Sequence, residues 1–360
     1  MRELLSIGLE NHRHGRIEQA AAAYERVIEA DPGNPDANHL LGIVAHQMGR
    51  DDLSVELITT AIGTNPGIAD YHCNLGNALR GLTRNDEAAD AYRIALKLTP
   101  DDPEIHSNLG NALRDLGRHD ESMTAYGQAL ALNPEFAEAH NNLGTVQQEL
   151  GKLNDATASF DEAIRLNPEF PEALNNLGDI WQAKGEPGKA ETCFRRALAA
   201  RADYAEAHNN LGTVLQGAAK PDEALTHYRR AVELKPDFHQ ALYNLGYLLE
   251  DHGKSREAVE CYQDAFAART GLESEKRADL APGTVSLFLE LTNKCNFHCE
   301  FCPSDIQERA AGFMDMDLAT RMYNEVAEKG LATQVMLHLM GEPTLHPKLY
   351  EILAYGKSKG

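Results

Sequence analysis

The sequence predicts an α-helical solenoid followed by the start of an α/β domain, and three observations lead to this prediction. One is a 34-residue recurrence of glycine, at Gly8, Gly42, Gly76, Gly110, Gly144, Gly178, Gly212 and Gly246. Another is that alanines and aromatic rings recur with the same step, as at Tyr126 and Phe160. The last is that strand and helix patterns alternate after Gly283. A period of this length indicates a stack of similar supersecondary units.

Each unit reads as a helical hairpin, which the fifth one illustrates. A first helix is expected over residues 139–150, and it ends at Gly151. Gly144 lacks a side chain, so a second helix over residues 156–166 can approach closely, with Asn154 or Asp155 as its cap. Because a single hairpin cannot bury its apolar face, successive hairpins are expected to stack into a right-handed superhelix with a concave surface.

The order of Leu-Gly, alanine, ring, alanine and proline within each period resembles the tetratricopeptide repeat. The resemblance covers residues 1–270 in eight units. Residues 271–283 are a charged stretch that ends in Ala-Pro-Gly, and we expect a linker or capping segment there. Residues 284–360 are expected to form the N-terminal part of a second domain.

Asparagines recur with the same step on the first helix of each unit, at Asn74, Asn108, Asn142, Asn176, Asn210 and Asn244. This row resembles the inner lining of the repeat domain in protein O-linked N-acetylglucosamine (O-GlcNAc) transferases. The resemblance implies a ladder that binds the backbone of an extended peptide on the concave surface. The alternative is that these amides cap or bridge adjacent helices. Histidines at a further repeat position are interpreted as packing residues rather than metal ligands: His72, His106, His140 and His208.

Composition and charge narrow the classes of function. The formal net charge of −21 argues against binding to nucleic acid or anionic membranes, because phosphate binding needs clustered cations. The sequence has no apolar run of about 18 residues, and its charged first residues lead us to expect no secretory leader. We therefore expect a cytoplasmic protein without a membrane span, in which Cys73, Cys193 and Cys261 are small buried residues.

The pattern after Gly283 predicts two strand–helix units. Strands are expected over residues 284–291 and 333–339, and helices over residues 317–329 and 347–357. This order indicates parallel strands joined by a crossover helix. The loops that follow the two strands should then lie at the same edge of the sheet, where such folds bind ligands.

The loop after the first predicted strand contains three cysteines in a Cys-x3-Cys-x2-Cys pattern, Cys295, Cys299 and Cys302. Three thiolates this close, with no fourth in sequence, can hold an iron–sulfur cluster and leave one iron open to chemistry. The alternative is a zinc site, which His298, His338 or His346 would complete. A disulfide is not expected in a reducing compartment.

The cysteine pattern, with Phe301 before the last cysteine, and the Gly-Glu-Pro loop after the second strand resemble the radical S-adenosylmethionine (SAM) superfamily. The resemblance implies a partial (β/α) barrel and a [4Fe–4S] cluster held by Cys295, Cys299 and Cys302. The fourth iron would bind SAM, and the SAM site would include Phe301, Gly341, Glu342 and Pro343. Reduction by an electron donor would cleave SAM to a 5′-deoxyadenosyl radical that abstracts a substrate hydrogen.

The function expected from these features is that of a radical SAM enzyme whose repeats bind a peptide or protein substrate. Only 78 residues follow Pro282, whereas a full barrel takes on the order of 200, so we expect the rest of the barrel to be missing. Two alternatives remain open. One is a protein–protein interaction scaffold without catalysis, and the other is a recognition domain like that of the O-GlcNAc transferases.

Overall fold

The computed structural model describes residues 1–270, 286–290 and 334–338. Within these residues the chain forms sixteen α-helices and two β-strands. The first eight helices are α1 (Arg2–Arg13), α2 (Ile17–Ala30), α3 (Pro35–Gln47), α4 (Asp51–Thr64), α5 (Ala69–Gly81), α6 (Asn85–Leu98), α7 (Pro103–Asp115) and α8 (His119–Leu132). The next eight are α9 (Ala137–Glu149), α10 (Leu153–Leu166), α11 (Pro171–Ala183), α12 (Pro187–Ala200), α13 (Ala205–Gly217), α14 (Pro221–Leu234), α15 (His239–Asp251) and α16 (Ser255–Thr270).

The fifth hairpin illustrates how the chain passes from the first helix of a repeat to the second. Gly151 follows α9 with φ +71°, a left-handed conformation that reverses the chain and that glycine adopts without strain. The expected cap of the next helix is wrong, because α10 begins at Leu153 and Lys152 at its N-cap makes no side-chain cap bond. Asp155 instead lies inside the first turn, where its negative charge interacts favourably with the positive end of the helix dipole.

The recurring glycine lets the two helices of a hairpin pack at short range, as the sequence predicted. A Cβ atom at Gly144 would lie 2.7 Å from Cε1 of Phe160, and one at Gly110 would lie 2.6 Å from Cε1 of Tyr126. Real Cβ atoms do not approach other atoms this closely. Phe160 and Tyr126 are fully buried, so the glycine–ring pair forms the centre of these hairpins, and Ile58 takes the place of the ring opposite Gly42.

Successive hairpins stack into a continuous array. From α2 on α3 to α12 on α13, the second helix of a unit packs on the first helix of the next. First helices also contact each other across repeats, as α5, α7 and α9 do. Buried residues from neighbouring units therefore share apolar clusters, one of which runs from Ala69 to Ala125. The α-solenoid prediction is confirmed.

The chain divides into two compact units, Met1–Leu248 and Leu249–Gly360. In the second unit β1 (Ser286–Glu290) and β2 (Gln334–His338) pair in parallel, with Ser286 opposite Gln334 and Glu290 opposite His338. Both strands therefore end at the same edge of the sheet. The helices predicted over residues 317–329 and 347–357 lie outside the described residues.

The described helices were also compared with the length and hydropathy that a membrane span requires. Within the described residues, none of them is both long enough and apolar enough to cross a bilayer.

Candidate functional site

A ladder of asparagine side chains connects the first helices of successive repeats. We call the six predicted asparagines, Asn74, Asn108, Asn142, Asn176, Asn210 and Asn244, the amide ladder. Nδ2 of each one donates to a side chain on the first helix of the preceding repeat. The acceptors, in chain order, are His39 Nε2 at 2.9 Å, Cys73 Sγ at 3.9 Å, Asn111 Oδ1 at 3.2 Å, Asn141 Oδ1 at 3.1 Å, Asn175 Oδ1 at 3.1 Å and Asn209 Oδ1 at 2.9 Å.

Through these bonds the amide ladder bridges adjacent helices, which was the alternative to peptide binding in the sequence analysis. The bonds use one N–H of each amide except at Asn210, whose second N–H donates to Asp179, and they leave the ladder side chains only partly buried. An amide carries two N–H donors and a carbonyl with two lone pairs, so hydrogen-bonding capacity remains for a ligand. Peptide binding by the ladder stays a prediction, and the structure supplies amides that are already oriented.

A second set of asparagines behind the ladder was missed in the sequence. Asn141, Asn175 and Asn209 each precede a ladder residue and are 8%, 5% and 6% exposed. Their carbonyl oxygens accept the bonds from the ladder residue of the next repeat. The signal that could have found them is their own 34-residue step. A buried amide that accepts from a half-buried one fixes the rotamer of both.

Tyrosines on the second helices extend this network in some repeats. The hydroxyl of Tyr126 donates to Asn111 Oδ1 at 2.7 Å, and that oxygen also accepts from Asn142 of the ladder. Tyr92 makes the same bond to Asn77 at 2.7 Å. Burial raises the pKa of Tyr126 to about 12, so its hydroxyl remains a donor over the physiological range. The ring that packs on the glycine thus also orients the surface amide.

Asp179 occupies the repeat position that Asn77 and Asn111 hold in earlier units. Its Oδ1 accepts from Nδ2 of Asn210 at 2.8 Å, and its Oδ2 accepts from Nδ2 of Asn175 at 3.4 Å. Burial raises the pKa of this carboxyl from 3.8 to about 7. In the described part of the chain, no lysine or arginine forms an ion pair with it. Asp179 is therefore a carboxylate held among neutral amides.

The repeated histidines hydrogen bond to the turn that precedes their own helix. Nε2 of His72, His106 and His140 lies 2.9, 2.9 and 3.0 Å from the carbonyl oxygen of the proline six residues earlier. His208 makes the same contact with Ala202 at 3.1 Å. Since a carbonyl oxygen only accepts, Nε2 carries the proton in each case. These bonds tie each first helix to the preceding turn.

Two cysteines within the repeats, Cys73 and Cys193, are buried or half-buried thiols without a disulfide bond. Burial raises the pKa of Cys73 and of Cys193 to about 11, which keeps both thiols protonated at neutral pH. Within the described residues, no three acidic, histidine or cysteine side chains are grouped so that they could hold a metal ion.

The residues of the predicted cluster and SAM site lie outside the described residues. These are Cys295, Cys299, Cys302, Phe301, Gly341, Glu342 and Pro343. What the structure places is the pair of strands that lead into them. Cys295 follows the last residue of β1 by five positions, and Gly341 follows the last residue of β2 by three. Glu290 and His338 are register partners, so both segments leave the sheet from one edge.

Comparison with known protein families identifies the array. Residues 137–170 match the family described as tetratricopeptide repeat, and so do residues 169–237 and 209–273. A related description, TPR repeat, matches residues 8–49, 76–113 and 110–151. The chain belongs to the tetratricopeptide-repeat family. Its 34-residue hairpins are the repeats of that family.

Solved structures agree with the tetratricopeptide-repeat fold. The APC/C hetero-tetramer Cut9–Hcn1 is 19% identical, with a TM-score of 0.57 over 75% of this chain and 53% of that one. PilF of Pseudomonas aeruginosa is 22% identical, with a TM-score of 0.51 over 57% of this chain and 94% of that one. At these identities the likeness concerns the fold alone.

Curated relatives match a shorter stretch. A tungsten-containing aldehyde ferredoxin oxidoreductase cofactor-modifying protein of Pyrococcus furiosus is 31% identical over 74 residues, which is 21% of each chain. The PqqA peptide cyclase of Methylorubrum populi is 34% identical over 79 residues, 21% of this chain and 20% of that protein. The chain thus spans about a fifth of the length of these relatives.

Proposed function

We propose that the chain combines a peptide-binding tetratricopeptide array, residues 1–270, with the first part of a radical SAM enzyme, residues 284–360, joined by residues 271–283. The observation that carries the catalytic half is the parallel pairing of β1 and β2. In this pairing both strands end at one edge of the sheet, and the segments that contain Cys295 and Gly341 follow those strands in sequence. Loops at this edge of parallel sheets are where α/β folds bind ligands.

The donor set fits an iron–sulfur cluster. Cys295, Cys299 and Cys302 supply three thiolates, and thiolates are the ligands of such clusters. Phe301, Gly341, Glu342 and Pro343 would line the SAM site beside the open iron. When bound, the cluster would supply the electron that converts SAM into a hydrogen-abstracting radical. The residues of this chain would hold the cluster, orient SAM and exclude water.

The matched relatives support this half of the proposal. Their matched stretches of 74 and 79 residues are about as long as the segment of 78 residues that follows Pro282. Both relatives bear names that describe modification of a cofactor or cyclisation of a peptide. A peptide substrate also suits an array whose amide ladder offers oriented hydrogen-bonding groups. We therefore propose that the array delivers a peptide or protein to the catalytic domain.

Zinc binding is the main competing interpretation of the three cysteines. His338 ends β2 at the edge that the cysteine segment leaves, which makes it a candidate fourth ligand. A zinc site would be structural and closed, whereas the cluster leaves one iron open. Metal preference therefore separates the two functions without any knowledge of the substrate.

The experiment is anaerobic reconstitution of the 360-residue chain with iron, sulfide and an equal amount of zinc, followed by metal and sulfide analysis. We expect about four irons per chain. Cys295→Ala should lose the iron, whereas the matched control Cys261→Ala, which alters a cysteine in α16, should retain it. Zinc bound without iron in both wild type and Cys261→Ala would contradict the proposal.

A scaffold without catalysis is the second candidate, and the extent of the array favours it. The repeats occupy residues 1–270 of 360, and the family is built from stacked hairpins that present an extended surface. In this case the amide ladder would still bind a peptide, and Cys295→Ala would leave that binding unchanged. The wild-type chain would take up no iron.

A further inference from the structure

A row of carboxylates runs beside the amide ladder. The second residue of six successive first helices is acidic: Asp36, Asp70, Glu104, Glu138, Glu172 and Glu206. We call these six residues the acidic row. They recur with the 34-residue step of the repeats. The array as a whole is acidic as well, with 42 Asp and Glu over residues 1–270 against 25 Lys and Arg.

The acidic row and the amide ladder lie on the same helix face. Glu104 precedes Asn108 by four residues, and Glu138 precedes Asn142 by four. Side chains four residues apart on a helix are neighbours, with Cβ atoms about 6 Å apart. The bonds of the ladder already show that these faces of successive helices adjoin. Carboxylates and amides therefore form two parallel stripes across the array.

Within the described residues, ion pairs form at two of the six members of the acidic row. Glu172 pairs with Arg201 at 2.7 Å and Glu206 pairs with Lys235 at 3.3 Å. Glu104 and Glu138 are exposed, and in the described part of the chain neither forms an ion pair. Asp179, on the same stripe as the ladder, also lacks a cationic partner there. The surface thus carries more negative charge than it neutralises.

The helix dipole offers a structural reason for first-turn acids, and it applies to the second helices as well. Asp86 and Asp120 are the second residues of α6 and α8, and both are exposed. If these acids serve only the helix dipole, substitutions on the first and on the second helices should have equal effects on ligand binding. A binding role predicts that only those on the first helices affect a ligand. Asp86 and Asp120 therefore provide matched controls for Glu104 and Glu138.

We infer that the array binds an extended cationic peptide, whose main chain contacts the amide ladder while its lysine or arginine side chains pair with the acidic row. Neighbouring packed helices are about 10 Å apart, and an extended chain advances about 3.3 Å per residue. A basic residue at about every third position would therefore meet one carboxylate per repeat. This inference rests on the proposed peptide binding by the array.

The probe is a fluorescent peptide of about 15 residues with lysine at every third position and serine between, titrated against the full chain by anisotropy. A second peptide has glutamine in place of lysine. We expect the lysine peptide to bind at least about tenfold more tightly at low salt, with the advantage shrinking as salt screens the charges. Glu104→Gln with Glu138→Gln should weaken it about threefold to tenfold, whereas Asp86→Asn with Asp120→Asn should leave it unchanged.

Different failures point to different claims. Equal affinity for the lysine and glutamine peptides would overturn the cationic preference while leaving peptide binding intact. Equal losses in the two double variants would overturn the role of the acidic row. Binding of neither peptide would refute the proposed peptide binding of the array, and the inference would fall with it. Far-ultraviolet circular dichroism of both double variants confirms that the exposed substitutions leave the helices folded.

Discussion

Asp179→Asn should make the protein more stable at alkaline pH, because burial penalises the ionised carboxylate of Asp179. The two amides that contact it, on Asn210 and Asn175, are neutral. Earlier repeats show that asparagine fits this position, since Asn111 Oδ1 accepts from Asn142 as Asp179 Oδ1 accepts from Asn210. The substitution therefore removes charge and preserves the main bond.

The size of the effect follows from the pKa of Asp179, which burial raises from 3.8 to about 7. A rise of that size corresponds to about 4 kcal/mol of penalty on the ionised form. The bond from Asn210 loses its charge assistance, and the bond from Asn175 is lost because an NH2 group replaces Oδ2, so part of this gain is offset. We expect Asp179→Asn to raise the free energy of unfolding by about 2 kcal/mol at pH 8.

The pH dependence has a definite sign. Between pH 4 and about 7 the folded state keeps a proton on Asp179 that the unfolded state has lost. The contribution of Asp179 to the stability of the wild type is therefore greatest below the pKa of this carboxyl in the unfolded state. That contribution is lost as pH rises through the folded-state pKa of about 7. Asp179→Asn removes this dependence. The two proteins should be nearly equal in stability at acidic pH and separate as pH rises.

The assay is urea unfolding of wild type, Asp179→Asn and the exposed control Asp86→Asn, followed by circular dichroism at several pH values. We expect a difference in unfolding free energy from wild type that grows with pH for Asp179→Asn, and no such difference for Asp86→Asn. An Asp179→Asn variant that is less stable than wild type at pH 8 would refute this expectation. So would a difference of constant size across the pH range.

Two further predictions concern packing and histidine ionisation. Gly110→Ala should lower the free energy of unfolding by about 1–3 kcal/mol, because its Cβ would lie 2.6 Å from Cε1 of Tyr126. The control Gly127→Ala, in a helix with open space around the glycine, should raise the free energy of unfolding by about 0.5–1 kcal/mol. Equal signs in thermal or urea unfolding would contradict this account of the glycine. Burial and the neighbouring His208 lower the pKa of His227 from 6.5 to about 4, so stability should fall as pH drops through that range. His227→Gln should reduce this acid loss by about 1 kcal/mol after allowance for its partial exposure, and an unchanged acid profile would count against it.

The repeat geometry could be predicted from sequence because each residue that sets it recurs. Gly144 has no side chain at the point where the ring of Phe160 packs, and the structure shows this contact. The predicted start of α10 was wrong. Asparagine and aspartate are common caps, but here Asp155 lies within the first turn instead.

The ladder network could be predicted only in part. The period placed Asn142 and Asn176 on one row, but the partners of each amide depend on which atoms meet across the repeat boundary. Asn141, a buried acceptor, and Asp179, a substituted position, are residues whose roles appear only in three dimensions. The pairing of β1 with β2 was foreseen because strand–helix–strand order favours parallel neighbours.

The central claim is that Cys295, Cys299 and Cys302 hold a cluster with an open iron that binds SAM. The most direct measurement is the electron paramagnetic resonance spectrum of the anaerobically reconstituted, reduced chain, recorded with and without SAM. The account predicts an iron–sulfur signal that SAM alters in wild type and in Cys261→Ala, and that is absent in Cys295→Ala. A chain that binds zinc alone, or a cluster signal that SAM leaves unchanged, would contradict it.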